Sequence, residues 1–177
     1  MNLFKRVSQN NLSNKLLDTC IRSADFLIDF PALKIFLKST KAPNPILAMK
    51  FEAMLLTYGI ILNQMHQKLG NQGFNRFQDE IWEKFRSYVL SHDLTEGLSS
   101  DFDDFCNNRF ELNHKQIEKF FHSTVGTYVP RKMLCNIFEK PLNTVGGESK
   151  NIEIDKYFST KLHGVLDIII DDINKAL

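Results

Sequence analysis

The sequence predicts an all-α fold, a single-domain bundle of six or seven mostly antiparallel helices spanning residues 1–177. Apolar residues recur at intervals of three and four along most of the chain, which is the spacing of one helix face. Proline, glycine and asparagine separate these segments, and no run alternates apolar and polar residues as a strand does. With 43% hydrophobic and 24% charged residues, the chain can bury a core without a metal or a disulfide.

The first predicted helix lies within residues 13–30. Its apolar residues form one stripe, made of Leu17, Cys20, Ala24 and Leu27 with Leu16, Ile21 and Ile28 beside them. Pro31 ends this helix, but proline is tolerated in a first helical turn. Residues 31–39 are therefore predicted to form a second, short helix.

Two long central helices are predicted near 45–69 and 74–90. Asn44 followed by Pro45 suits an N-cap and a first helical position. The stripe of the first of these helices is Leu47, Phe51, Met54, Tyr58, Ile61 and Met65, and that of the second is Phe74, Phe77, Ile81, Phe85 and Val89. Gly70 is a suitable terminator, and the short "GNQG" loop predicts an antiparallel pair.

The remaining elements are a short acidic helix at 99–109, helices beginning near Asn113 and Pro130, and a third central helix at 152–176. The stripe of this last helix is Ile154, Phe158, Leu162, Val165, Ile169 and Ile173. Residues 141–151 combine proline, two glycines and polar residues, so we expect a flexible loop there.

Charge and cysteine content restrict the class of function. The 22 basic and 21 acidic residues give a net charge of +1. The chain has no stripe of basic residues, so we do not expect a nucleic-acid partner. The sequence contains no run of 18 apolar residues, so we predict no membrane span. The N-terminus lacks the apolar core of a signal peptide. The three cysteines, Cys20, Cys106 and Cys135, are widely spaced without a CxxC pair, which favours reduced thiols in the cytoplasm.

The stretch "ELNHKQIEKFFH" at residues 111–122 is the part of the sequence that most resembles a metal site. Glu111 and His114 form one Glu-x-x-His motif, of which a di-iron bundle needs two, and no second one exists. Asn113 and Gln116 form a capping-box-like pair, with Leu112 and Ile117 as a hydrophobic staple. This pattern starts the helix at Asn113 and leaves Glu111 outside it.

His114, Glu118 and His122 then form a slanted row on that helix. Two histidines from one helix make an incomplete zinc site, because zinc takes three or four protein ligands. We therefore interpret the row as the polar edge of a helix rather than as a metal site.

The other histidines have structural interpretations. We expect His66 to be a hydrogen-bonded residue at the edge of the apolar stripe. We expect His92 to close a helix, where a cation interacts favourably with the helix dipole.

No catalytic signature is present: the chain contains no GxSxG, GxGxxG or GxxxxGK[ST] motif. We therefore expect a non-enzymatic protein-interaction or regulatory module without a cofactor, whose partner is a protein, either a second copy or another chain. The alternative is a helical bundle with an internal small-molecule, cofactor or metal site, which could be catalytic. The abundant phenylalanine and methionine residues could line such a site.

Overall fold

The structure is a computed structural model, and it is entirely α-helical apart from a few turn and end residues. It describes residues 3–29, 31, 33–34, 44–94, 102–104, 106–108 and 148–177. No strand occurs within these ranges, which confirms the predicted all-α class.

Three long helices account for more than half of the chain. They are α1 (Leu3–Ile28, 26 residues), α2 (Pro45–Ser91, 47 residues) and α3 (Glu148–Ala176, 29 residues). Five helices are counted within the described ranges, not the six or seven predicted. The segments predicted as separate helices at 45–69 and 74–90 are counted together as α2, which is interrupted by the non-helical Gly70. The helices predicted from Asn113 and Pro130 lie outside the described residues.

The ends of the helices differ in detail from the predictions. The helix predicted from residue 152 already begins at Glu148, so residues 148–151, which were assigned to the loop, are helical. Residues 141–147 of that loop lie outside the described part of the chain. At the start of α2, Asn44 occupies the cap position and Pro45 the first helical position, as predicted.

Asn44 begins α2 through its backbone. It adopts the left-handed conformation (φ 40°, ψ 51°), and its side chain makes no capping hydrogen bond. Its carbonyl oxygen accepts a hydrogen bond from the Ala48 N–H at 3.1 Å. Asparagine tolerates this conformation better than most residues, so it serves here to turn the chain into the helix.

Gly70 divides α2 into two arms, a first arm (45–69) and a second arm (71–91). Its φ of 63° and ψ of 176° are not helical. The Tyr58 and Phe85 ring centroids lie 4.7 Å apart, and those of His66 and Phe74 lie 5.3 Å apart. These pairs are almost symmetric about Gly70, so the second arm folds back along the first. The turn is tighter than the predicted four-residue loop.

Helix α1 packs against the first arm and runs in the opposite direction. Near the middle of α1, the Cys20 thiol lies 3.3 Å from the Met54 carbonyl oxygen and 3.2 Å from the Thr57 hydroxyl. Towards its end, Asp25 forms an ion pair with Lys50 at 2.8 Å.

Helix α1 also contacts the second arm, through polar residues. The Ser13 hydroxyl donates a hydrogen bond to Glu80 at 2.5 Å, and the Lys84 ammonium donates one to Asn14 at 2.6 Å. Glu80 and Lys84 lie one helical turn apart, so both face α1. The second arm therefore lies beside α1 as well as beside the first arm.

Helix α3 runs antiparallel to α1. Asp172 accepts hydrogen bonds from the Thr19 hydroxyl at 2.7 Å and the Arg22 guanidinium at 2.8 Å. Nearer the start of α3, the Tyr157 hydroxyl lies 3.4 Å from the Asp29 carbonyl oxygen. Helix α1 therefore contacts both arms of α2 and also α3.

The first arm forms the centre of the core. All twelve residues from 51 to 62 are buried, whereas the stripe predicted from the sequence covers only one side of this helix. Leu47, the first member of that stripe, is an exception because 36% of it is exposed. A helix that is buried on all sides requires neighbours on all sides.

The segment Pro45–Asn75 is long and apolar enough to cross a membrane by length and composition alone. In the structure, 72% of its most apolar window is buried inside the protein. Its apolar side chains thus pack against the other helices, as those of a core helix do.

The core assignment predicts different effects for two adjacent isoleucines of α3. Ile169 is fully buried, whereas Ile170 is 37% exposed. We expect Ile169→Ala to lower the free energy of unfolding by roughly 2–5 kcal/mol, and Ile170→Ala to lower it by less than about 1 kcal/mol. Urea denaturation followed by circular dichroism measures both, and equal losses would mean that the buried face is wrongly assigned.

The turn between the arms predicts a specific requirement for glycine. The region of φ and ψ that Gly70 occupies is almost restricted to glycine, so Gly70→Ala should destabilise the protein by about 1–3 kcal/mol. Gly164 is the control, because a Cβ there would lie at an ordinary 3.5 Å from the Phe26 ring. Gly164→Ala should be neutral, or stabilising by about 0.5–1 kcal/mol. Thermal denaturation compares them, and a Gly70→Ala variant as stable as the parent would contradict the turn geometry.

Candidate functional site

The row His114, Glu118 and His122 and the neighbouring Glu111 all lie outside the described residues. Their interpretation as a helix edge therefore stays a prediction. Among the residues that are described, no group of three or more histidine, cysteine, aspartate or glutamate side chains is placed to hold a metal ion.

Two histidines that are described have the structural roles expected of them. His66 is exposed, and its Nε2 lies 2.6 Å from the Asn71 Oδ1 across the turn at Gly70. His92 closes α2: its backbone N–H and its ring Nδ1 both contact the Tyr88 carbonyl oxygen, at 3.1 and 2.9 Å.

A pocket of about 200 Å³ lies where the two arms of α2 meet the helical residues 102–104 and 106–108, which we call the short segment. Its lining is half apolar and half polar, with contributions from all three pieces of chain: Tyr58, Leu62, Gln78, Asp79, Trp82, Cys106 and Asn107. The first arm supplies the first two residues, the second arm the next three, and the short segment the last two. We call this the inter-arm pocket.

Aromatic rings form one wall of the inter-arm pocket. The Trp82 centroid lies 5.7 Å from Tyr58, 5.7 Å from Phe85 and 6.0 Å from Phe102. The Trp82 and Phe85 rings are nearly parallel, at 17°. Centroid distances of 4.5–7 Å are favourable for aromatic pairs. These contacts fix the orientation of the indole, and the fold-back at Gly70 brings Tyr58 to it.

Charged side chains surround the Cys106 thiol at the inner edge of the pocket. Arg86 and Asp103 form an ion pair of 3.3 Å, and the Arg86 guanidinium lies 5.8 Å from the centre of the Phe102 ring. Burial raises the pKa of Cys106 to about 12, and the negative charges of Asp103 and Glu52 add to the effect while Arg86 opposes it. Burial alone penalises a thiolate, and here the local field is also unfavourable to it.

Tyr58 experiences a similar environment. It is only 4% exposed, and burial is the main reason why the pKa of its hydroxyl is raised, followed by smaller electrostatic contributions from Cys20, Asp79 and Cys106. Asp79 lines the same pocket and is exposed to solvent.

Cys20 is a second buried thiol, located between α1 and the first arm. Burial raises its pKa to about 12, against a smaller opposing effect of its hydrogen bond with Thr57. A thiol must ionise to act as a nucleophile. Cys20 and Cys106 are thus packing residues rather than reactive groups.

The inter-arm pocket was not identified from the sequence, because its residues come from three separate segments. Part of the signal was nevertheless available. Gln78 and Asp79 precede Trp82 by four and three residues, so they share a helix face with it. The predicted antiparallel pair around "GNQG" also brings positions equally distant from the turn together, which places Trp82 opposite Tyr58.

Comparison of the chain with protein-family models found no match, and comparison with curated proteins and with solved structures found none either.

The raised pKa values predict that the two buried thiols resist alkylation. At pH 8, a thiol with a pKa of about 12 is ionised in only about one molecule in ten thousand, and only the thiolate reacts. Iodoacetamide should leave Cys20 and Cys106 unmodified in the folded protein and modify both in urea. Peptide mass spectrometry identifies the modified positions. Rapid modification of Cys106 in the folded state would contradict its burial and would make it a candidate nucleophile.

Proposed function

We propose that this protein is a single-domain helical bundle that acts in the cytoplasm as a non-enzymatic interaction or regulatory module and binds a protein partner. Two features support this function. The cysteines Cys20 and Cys106 are buried as neutral thiols, and α3 carries apolar side chains outside the core.

The outer apolar row of α3 is the single observation that carries the proposal. It consists of Leu166 and Ile170, which are four residues apart on one side of α3, and of Leu177, which directly follows the last helical residue, Ala176. Leu166 also packs against the core with part of its side chain. Leu166 is half-buried, while Ile170 and Leu177 are 37% and 55% exposed. This row runs beside the buried stripe, and together they make the apolar side of α3 wider than the core covers.

An apolar helix of a partner chain suits such a row. Amphipathic helices bind to one another through side chains at intervals of three, four and seven residues. The partner is a second copy of this chain or another protein.

Site-specific photo-cross-linking in the native cell tests the outer apolar row. A photoreactive benzoylphenylalanine at position 177 should give one cross-linked species of defined mass, which Ile170→Lys should abolish because a charge would enter the apolar contact. Position 175 is the control: it is rotated from position 170 by roughly 140° around the helix, and Lys175 there pairs with Asp171 at 2.5 Å. Equal cross-linking from 175 and 177, or persistence in Ile170→Lys, would contradict the proposal.

A second candidate function is the binding of a small molecule, and the inter-arm pocket is the observation that favours it. Its volume of about 200 Å³ is smaller than the roughly 300–1,000 Å³ of drug-sized sites. It suits a single ring, because an engineered apolar cavity of about 150 Å³ binds benzene.

Trp82 provides a local test of this second function, because it is the only tryptophan of the chain and lines the pocket. Titration with 2-phenylethanol, a neutral single-ring probe, should change its fluorescence in a saturable manner. A linear response up to the solubility limit would argue against a binding pocket.

A further inference from the structure

The inter-arm pocket combines an apolar, aromatic wall with a polar rim that carries a carboxylate. What this combination would bind rests on the small-molecule function proposed above. Its apolar wall is built from Tyr58, Leu62 and Trp82, and its polar rim from Gln78, Asp79 and Asn107. Among the described residues, the rim thus offers one carboxylate and two side-chain amides, and no basic side chain lines it.

Among the residues that the structure describes, the charged side chain that lines the pocket is the carboxylate of Asp79. Near the Cys106 thiol, Asp103 and Glu52 add to the effect of burial in raising its pKa, and Arg86 opposes them. The Arg86 guanidinium forms an ion pair with Asp103 and lies near the Phe102 ring. These two charges offset each other, so Asp79 is the carboxylate available to a ligand in the pocket.

The wall itself also favours a positive charge. The face of an aromatic ring is negative, tryptophan most strongly, and it attracts an ammonium group. The same protein uses this attraction elsewhere: the Lys161 ammonium lies 3.6 Å from the centre of the Phe26 ring and 5.4 Å from that of Tyr157.

We propose that the inter-arm pocket binds a small organic cation, an amine carrying one ring or an apolar group of similar size, with Asp79 as the counter-ion and Trp82 as the aromatic contact. The ring of the ligand lies against Tyr58 and Leu62, and its ammonium group lies towards the rim. Gln78 and Asn107 accept hydrogen bonds from it through their amide oxygens.

Three probes of one size separate the charge from the shape. They are protonated 2-phenylethylamine, neutral 2-phenylethanol and anionic 3-phenylpropionate, each titrated at constant ionic strength with Trp82 fluorescence and calorimetry as readouts. We expect the amine to bind about ten-fold or more tightly than the alcohol. Its ammonium group gains a cation–π interaction with Trp82 and an ion pair with Asp79, and the alcohol gains neither. The anion should bind most weakly.

Asp79→Asn tests the counter-ion and leaves Trp82 in place as the reporter. This variant should bind the amine within about three-fold as tightly as the alcohol, because the cation–π interaction with Trp82 still favours the amine. Its affinity for the alcohol should be unchanged. Asp167→Asn, an exposed aspartate on α3, is the matched control and should change neither affinity.

The outcomes distinguish this inference from the function on which it rests. Equal binding of amine and alcohol would overturn the cation preference while the small-molecule pocket stands. An undiminished preference in Asp79→Asn would overturn the role of that carboxylate. Absence of saturable binding by all three probes would overturn the pocket function and the inference together.

Discussion

Burial of the middle of the first arm of α2 on all sides is the constraint on which the rest of the structure depends. Twelve consecutive residues, 51–62, are buried, and apolar surface of that extent is stable in water only when other elements cover it. Helix α1 covers one side of the arm, the second arm covers another, and Cys106 and Asn107 approach it at the inter-arm pocket. The Thr57 hydroxyl, which is enclosed in this core, donates a hydrogen bond to the Met54 carbonyl oxygen at 3.0 Å.

The same constraint explains why the candidate site lies where it does. Gly70 adopts a conformation that is almost restricted to glycine, so the chain reverses within one residue and the second arm returns along the first. This reversal brings Trp82 to Tyr58 and leaves a space between the arms, which Cys106 and Asn107 of the short segment also line. The inter-arm pocket is therefore a consequence of how the central helix is covered, and its acidic character comes from the side chains at its edge.

Sequence periodicity predicted the helices better than it predicted their surroundings. The all-α class, the start of α2 at Pro45 and the special role of Gly70 followed from spacing and from the preferences of proline, asparagine and glycine. The complete burial of residues 51–62 did not follow from a one-sided stripe, although the nearly continuous apolar run "AMLLTYGIIL" at 53–62 indicates a helical segment without a solvent face. The ends of the helices shifted by several residues, because terminal turns depend on contacts that the sequence alone does not show. The inter-arm pocket was missed since its lining is assembled by tertiary packing from distant segments.

Native-state amide hydrogen exchange tests the central claim most directly, because it measures the free energy of opening for each part of the backbone. The amides of residues 51–62 should exchange only through global unfolding, with protection equal to the full stability of the protein. The amides on the exposed side of α3 should exchange faster, through local opening. If the amides of 51–62 exchanged as fast as those of α3, the first arm would not be the element on which the other helices pack.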